Sequence, residues 1–148
     1  MFQSKFNLIA VLIIAAATAL AAFSVKDESL TSDELSHIPA GYSYLTQRDM
    51  RINPEHPPLL KDLAGLPLLF QKINIDTAHP SWASDVNGQW SFGRRFMYEI
   101  GNNPDTMAAS ARLMMLIIFI LLCWLVYKWG KEKYGAPMGL FALTLTAL

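Results

Sequence analysis

Residues 6–25, FNLIAVLIIAAATALAAFSV, contain no charged side chain. A helix of about 20 apolar residues is long enough to cross the hydrocarbon core of a bilayer, which is about 30 Å thick. Residues 107–127, MAASARLMMLIIFILLCWLVY, form a second such stretch, in which Arg112 is the only charged residue, and a third apolar run occupies residues 138–148. These runs predict an all-α membrane protein with two complete transmembrane helices and the start of a third.

The first and third runs each raise a question about processing or length. A short basic start and the triplet Ala-Leu-Ala at residues 19–21 also fit a cleavable signal peptide, although the run is longer than the usual signal core of about 7–15 residues. The third run is about half as long as a transmembrane helix needs to be. We therefore expect residues 1–148 to be the N-terminal part of a longer polytopic protein.

The overall composition agrees with a membrane protein and excludes some functions. Of the 148 residues, 53% are hydrophobic and 16% are charged, with 12 Lys plus Arg balanced by 12 Asp plus Glu. This balance gives no basic surface for nucleic acid. Cys123 is the single cysteine, which excludes an internal disulfide and a multi-cysteine zinc site.

The positions of the lysines predict the orientation of the two spans. Lys5 precedes the first span, and lysines 128, 131 and 133 follow the second. Short flanks rich in Lys stay in the cytoplasm, whereas long loops cross largely regardless of charge. We therefore predict cytoplasmic segments at residues 1–5 and 128–137, and an extracytoplasmic loop at residues 26–106.

The start of this loop predicts a helix. Thr31 with Glu34 three residues later fits a capping box, and acidic residues in a first turn also suit the helix dipole. Pro39 lacks a backbone donor and is expected to kink the helix. One face of it would carry Asp33, His37, Ala40 and Tyr44.

A second, amphipathic helix is predicted from Pro58, a residue type that suits a first helical position. Such a helix would lie in the plane of the membrane interface and would present His56 and Lys61 at the depth of the lipid headgroups. Its polar side would carry Lys61, Asp62 and Gly65, and its apolar side Leu59, Leu60, Leu63, Leu66 and Phe70.

The rest of the loop is rich in turn-forming and aromatic residues, which predicts an ordered but irregular segment. Its aromatic side chains would either pack on the two helices, which we favour, or lie in the aromatic belt of the membrane interface. These residues are Trp82, Trp90, Phe92 and Tyr98.

Three interpretations of the acidic, histidine-bearing segments TSDELSH and NPEHPP remain open on the residues alone. A carboxylate pair at the membrane surface can act as a general base on a hydroxyl group. His37 and His56 with nearby carboxylates could bind a divalent metal, but no HExxH or cysteine pair supports a metal site. The third interpretation is a purely structural, hydrogen-bonded loop.

The segment DELSHIPAGYSYLTQRDMRINPEHPPLLKDLAGLPLLF resembles the first extracytoplasmic loop of the bacterial phospholipid carrier-dependent glycosyltransferases. These enzymes are related to the protein O-mannosyltransferases and aminoarabinose transferases, in glycosyltransferase family 39 of the GT-C superfamily. The similarity continues through QWSFGRRFMYEIGNNPDTMAASARL to the KYG after the second span, and so covers most of the chain. The resemblance implies a polytopic GT-C fold in the bacterial inner membrane, with the catalytic loop facing the periplasm or exterior.

The resemblance also implies roles for particular residues. Asp33 matches the general base that acts on the acceptor, with inversion at the sugar carbon, and Glu34 matches the second acid. The implied donor is a sugar on a polyprenyl phosphate, and the acceptor a protein or a glycolipid. Aminoarabinose transferases have Glu-Lys-Pro where this chain has Glu-His-Pro, so the partner of the carrier phosphate differs. The residues expected to meet that phosphate are His56, Arg51, Lys61 and Arg112.

Two other classes of function are compatible with part of the pattern. A transporter subunit would need polar residues inside its spans, and Arg112 is the only charged one there. A small membrane-anchored scaffold would have to be complete within these residues, which the short third run disfavours. The sequence indicates no cofactor, and it specifies neither the sugar nor the acceptor.

Overall fold

A computed structural model describes residues 2–25 and 28–148, with side chains from residue 5 onward. The chain is 75% helical, and none of the described residues forms a β-strand. The all-α prediction is therefore confirmed. The helices are α1 (Phe2–Ser24), α2 (Ser32–Gln47), α3 (Pro58–Gly65), α4 (Pro80–Ala83), α5 (Gln89–Arg94), α6 (Pro104–Tyr134) and α7 (Ala136–Ala147). A 3₁₀ turn, Leu66–Phe70, follows α3, and a π-helical turn, Arg95–Glu99, follows α5.

Two of these helices are long and apolar enough to cross a membrane, namely Lys5–Ser24 within α1 and the whole of α6. Helix α6 has 31 residues and extends beyond the apolar run at both ends. Lys and Glu are good helix formers, and Lys128 pairs with Glu132 one turn later at 3.9 Å. The helix ends before Gly135, whose φ of +88° suits glycine.

The chain divides into two compact units, one containing α1 and Met115–Leu148, and the other Ser29–Met114. In the first unit, the side chains of Ala10, Ile14, Cys123, Tyr127 and Leu143 form a buried cluster. Asn7 on α1 accepts hydrogen bonds from Tyr127 Oη and Lys131 Nζ, both at 2.9 Å. Apolar packing and this polar contact together fix the first unit.

The second unit is built on close contact between α2 and α3. A Cβ on Gly41 would overlap the carbonyl oxygen of Lys61, and one on Gly65 would lie 2.7 Å from the carbonyl carbon of Gly41. Helix α5 packs on α2 in a similar way, because a Cβ on Gly93 would overlap the carbonyl oxygen of Leu35. Glycine therefore allows the backbones of α2, α3 and α5 to approach each other directly.

The polar side of α3 faces the protein, and its apolar side is open. Lys61 and Gly65 are buried, so the prediction that Lys61 is presented at the membrane surface is wrong. The physical reason is the α2–α3 contact, which requires the small residues of that side. The side chains on the apolar side remain exposed, namely those of Leu59, Leu60, Leu66, Leu69 and Phe70.

The segment predicted to be irregular contains two short helices, α4 and α5. Trp82 and Phe92 are buried and pack against each other with ring centroids 5.4 Å apart, as the packing interpretation predicted. Trp90 and Tyr98 are exposed, which that interpretation did not predict. Arg95 donates to Asp76 at 2.6 Å and thereby ties this segment together.

Candidate functional site

The site begins at the first turn of α2, where the predicted capping box is present. The Glu34 backbone N–H donates to Thr31 Oγ1 at 3.2 Å, and the Thr31 backbone N–H donates to Glu34 Oε2 at 2.9 Å. Two backbone donors that the helix leaves unpaired are thus satisfied by side chains. The reciprocal bonds fix where α2 starts, and with it the direction of the side chains in the first turn.

Glu34 has a second partner, Arg112, from the beginning of α6. Arg112 Nε donates to Oε1 at 2.7 Å, and a terminal guanidinium nitrogen donates to Oε2 at 2.8 Å, which makes the pair bidentate. The same terminal nitrogen also donates to the carbonyl oxygen of Ser29 at 2.9 Å. The Arg112 guanidinium lowers the pKa of Glu34 against the opposing effect of burial, and the bonds with Thr31 lower it further. Glu34 is therefore a structural carboxylate held in its ionised form.

The carboxylate of Asp33 differs in its contacts from that of Glu34, the adjacent residue. Its side chain is exposed, and within residues 2–25 and 28–148 no group forms a hydrogen bond or ion pair with its carboxylate. The backbone carbonyl of Asp33 accepts from Ser36 Oγ at 3.1 Å, which is an ordinary bond of a first helical turn. Its carboxylate oxygens remain available to accept a proton or a hydrogen bond from a ligand.

One turn after Asp33, His37 contacts His56 from the loop before α3. The two ring centroids are 5.4 Å apart with an interplanar angle of 83°, an edge-to-face contact. His37 is half-buried and His56 is exposed. Burial lowers the pKa of His37, Asp33 opposes this by raising it, and the electrostatic effects of Lys61 and His56 lower it again.

Lys61 lies beneath this pair and is only 3% exposed. Its Nζ donates to Asn53 Oδ1 at 3.0 Å, to Tyr44 Oη at 3.1 Å and to the carbonyl oxygen of His56 at 2.8 Å, and it also contacts the carbonyl oxygen of Asn53. An ammonium group has three protons, so these oxygens already satisfy it. Burial lowers the pKa of Lys61, while Asp62 and Glu55 oppose that change. Lys61 fixes the loop that carries His56.

Arg51 contacts residues other than the histidine pair and Lys61. It pairs with Asp49 at 2.6 Å, and its guanidinium carbon lies 5.4 Å from the centroid of the Trp82 ring. Its side chain is 49% exposed. Within the described part of the chain, these contacts connect Arg51 to neither His56 nor Asp33.

Two residues that contact Lys61 were not predicted as site residues. Asn53 and Tyr44 supply most of the oxygens around Lys61, and Tyr44 Oη also donates to the carbonyl oxygen of Asn53 at 2.7 Å. Asn53 further donates to Gln89, at the start of α5. Tyr44 lies on the face of α2 that was predicted to carry Asp33, so its position could have indicated a role in the site. No local sequence pattern indicates that Asn53 accepts a hydrogen bond from a lysine.

The described part of the chain contains no group of three or more His, Cys, Asp or Glu side chains arranged to hold a metal ion. The contact between His37 and His56 brings together two of the residues considered for such a site, without a third ligand in that part of the chain. The arrangement instead combines an available carboxylate, a fixed carboxylate and two imidazoles. Such a set of groups can accept and donate a proton.

No protein-family model matches this chain, and no curated protein and no solved structure is similar to it at a significant level.

Proposed function

We propose that this protein is a membrane glycosyltransferase that moves a sugar from a polyprenyl-phosphate carrier to an acceptor hydroxyl on the extracytoplasmic side of the bacterial inner membrane. Asp33 takes the proton of the acceptor hydroxyl while its oxygen attacks the anomeric carbon. The bond from that carbon to the phosphate oxygen breaks, and polyprenyl phosphate leaves. One displacement inverts the configuration at the sugar carbon.

The observation that carries the proposal is the different state of two adjacent acids. Glu34 is occupied by Thr31 and Arg112, whereas the Asp33 carboxylate is exposed without a hydrogen-bond partner in the described residues. A base must reach the proton that it removes, and of these two acids only Asp33 meets that condition. In this mechanism Glu34 and Arg112 position the first turn of α2, and they do not contact the substrate.

Two further features support a lipid-linked donor. The apolar side of α3 exposes Leu59 and Leu60 directly after the loop that carries His56. The chain also has two helices long and apolar enough to span the bilayer, one that precedes this unit in the sequence and one that begins within it. We propose that they do so, which would hold the site at the membrane surface, where a carrier phosphate resides.

The test is sugar transfer by the protein encoded by its native gene, assayed in membranes with a panel of radiolabelled polyprenyl-phosphate sugars. Asp33→Asn keeps the size of the side chain and cannot accept the proton, so we expect turnover to fall roughly 10²- to 10⁴-fold. The matched control is Asp105→Asn, since Asp105 is also an exposed acid in a first helical turn, that of α6. We expect this control to retain activity.

Equal turnover of Asp33→Asn and the unmodified protein, at equal abundance in the membrane, would exclude Asp33 as the base. No transfer from any sugar of the panel by the unmodified protein would count against the enzyme class itself. In that case a scaffold or transporter subunit would be the better interpretation.

A further inference from the structure

Asn7 is a polar residue near the start of the apolar helix α1, and its side chain joins α1 to the end of α6. Its Oδ1 accepts from Tyr127 Oη and from Lys131 Nζ, both at 2.9 Å. An ammonium group can only donate, so the atom of Asn7 that faces Lys131 must be the amide oxygen. The amide nitrogen Nδ2 keeps its two protons, and no group in the described part of the chain accepts a hydrogen bond from them.

Lys131 supplies further donors beside Asn7. Its ammonium group has three protons, and Asn7 Oδ1 is the one hydrogen-bond acceptor that the described residues provide for it. The centroid of the Tyr127 ring lies 5.8 Å from Nζ. A Cβ on Gly139 would lie 2.8 Å from the backbone nitrogen of Lys131, so α7 packs directly on this turn of α6. The position of Lys131 relative to Asn7 is therefore fixed by packing as well as by the hydrogen bond.

The charges at this end of the first unit favour an anion. Residues 1–7 and 128–137 contain four lysines and one acidic residue, Glu132. Glu132 lies 3.9 Å from Lys128, and Lys131 forms no ion pair with a carboxylate of the described residues. Lys133 is exposed and likewise has no hydrogen bond or ion pair among those residues. The donors of Asn7 and Lys131 thus lie in a region with an excess of positive charge.

Two exposed aromatic residues of α6 indicate the depth of this region in a membrane. Trp129 and Tyr134 lie on either side of Lys131 along the helix, and they are 64% and 77% exposed. Trp and Tyr side chains are enriched at the level of the lipid headgroups. The apolar run of α6 ends at Tyr127, about one turn before Lys131. With α1 and α6 across the bilayer, the donors lie at the level of the lipid phosphates.

We propose that Asn7 and Lys131 bind the phosphate of an anionic phospholipid headgroup where α1 begins and α6 ends. Asn7 Nδ2 donates to one phosphate oxygen and Lys131 Nζ to another, and the neighbouring lysines attract the net negative charge of the lipid. The bound phosphate bridges the two helices. This inference goes beyond the proposed function and assigns no step of sugar transfer to the lipid. It shares with that function only the proposal that α1 and α6 span the membrane.

The experiment uses the 148-residue chain in micelles of a neutral detergent, titrated with phosphatidylglycerol or with phosphatidylcholine. Both lipids have a phosphate diester, but only phosphatidylglycerol has a net negative charge. Native mass spectrometry measures the fraction of the protein that carries each lipid, and NMR of the asparagine side-chain amides reports on Asn7 Nδ2. We expect tighter binding of phosphatidylglycerol, with a change in the resonances of the Asn7 amide protons on binding.

Asn7→Asp separates the binding role of Asn7 from its structural role. Aspartate has nearly the same shape and still accepts from Tyr127 and Lys131, so the contact between α1 and α6 is retained. It loses both Nδ2 protons and places a negative charge beside the phosphate. We expect the affinity for phosphatidylglycerol to fall at least roughly 10- to 100-fold, the value of one hydrogen bond to a charged group. The midpoint of thermal unfolding should be unchanged or higher, which excludes unfolding as the cause.

Lys131→Gln is the second variant, because glutamine can still donate to Asn7 Oδ1 but lacks the charge. We expect it to weaken phosphatidylglycerol binding roughly 10-fold or more. The matched control is Lys133→Gln, which removes a charge from the same end of α6 without removing a hydrogen bond. This control should weaken binding by about fivefold or less, the effect of one lysine near an anionic lipid surface.

Equal binding of phosphatidylglycerol and phosphatidylcholine by the unmodified chain would overturn the proposal. So would unchanged affinity of a folded Asn7→Asp protein, or binding that leaves the resonances of the Asn7 amide unchanged. Equal losses for Lys131→Gln and Lys133→Gln would also overturn it, because they would assign the attraction to diffuse surface charge. The experiment does not measure sugar transfer, so its failure and the failure of the proposed enzyme activity are distinguishable.

Discussion

The bidentate pair of Glu34 and Arg112 should be the strongest side-chain interaction that fixes the first turn of α2. Its two charge-assisted bonds are 2.7 and 2.8 Å long, and the two side chains are 24% and 14% exposed. Fully exposed ion pairs contribute about 0–1 kcal/mol, whereas hydrogen bonds to charged groups that are shielded from water contribute about 1.5–3 kcal/mol. We therefore expect a coupling free energy of about 2 kcal/mol between the two residues.

A double-mutant cycle measures this coupling directly. Glu34→Gln retains the capping box, because glutamine also serves at this position, and it removes the charge opposite Arg112. Arg112→Gln should cost more than Glu34→Gln, because it also removes the bond to the Ser29 carbonyl. The double variant should be less destabilised than the sum of the two. Thermal unfolding of the chain in detergent should report the coupling as about 4–8 °C.

The same pair should make stability depend on pH in the acid range. Arg112 lowers the pKa of Glu34 below its ordinary value of 4.5 in the folded protein. The stabilisation is therefore complete above pH 4.5 and is lost as pH falls through the lowered pKa. Glu34→Gln should abolish this part of the pH dependence.

A matched cycle on Lys128 and Glu132 provides the comparison, since those side chains are 61% and 60% exposed and their atoms are 3.9 Å apart. We expect it to yield less than about 0.5 kcal/mol. If the cycle on Glu34 and Arg112 gave an equally small value, the pair would be an incidental surface contact. The division of roles between Asp33 and Glu34 would then lose its structural basis.

Two further predictions concern the contact of α2 with α3. Gly41→Ala should destabilise the protein by about 3 kcal/mol or more, because the new methyl group overlaps the Lys61 carbonyl. As a control, Ser43→Ala in the same buried turn should cost under about 1.5 kcal/mol in the same thermal unfolding assay. Equal costs for the two variants would contradict the close approach of α2 and α3. Lys61→Met should lower the free energy of unfolding by about 1–3 kcal/mol, because it leaves buried oxygens such as Asn53 Oδ1 without a donor. As a control, Lys72→Met, at an exposed lysine, should change the free energy of unfolding by less than about 0.5 kcal/mol. Unchanged stability of Lys61→Met would contradict the structural role of Lys61.

The parts of the structure that sequence reasoning anticipated are local or strongly periodic. The apolar runs specify α1 and most of α6 through their length alone. The capping box at Thr31 and Glu34 requires only residues three apart, so its pattern is visible in any chain. Nothing in that pattern indicates that Glu34 also binds Arg112, because the partners are 78 residues apart and only tertiary folding brings them together.

The predicted exposure of Lys61 on α3 was wrong for an equally physical reason. An amphipathic pattern separates polar from apolar residues and does not say which side faces the protein. Here the polar side is buried, because Gly65 permits close backbone contact and the charge of Lys61 is satisfied by Asn53 and Tyr44. Short helices such as α4 contain too few residues for any periodicity, so turn-forming residues dominated the prediction there.

The long separation between Glu34 and Arg112 also sets an order of events during biosynthesis. At a translation rate of about 5–20 residues per second, the 78 residues between them take roughly 4–16 s to make. Over that interval the nascent chain can form the bonds of Thr31 with Glu34, but it cannot form the ion pair. The second unit can therefore reach its final arrangement only after the beginning of α6 has left the ribosome, so synthesis of this second apolar helix is coupled to maturation of the second unit.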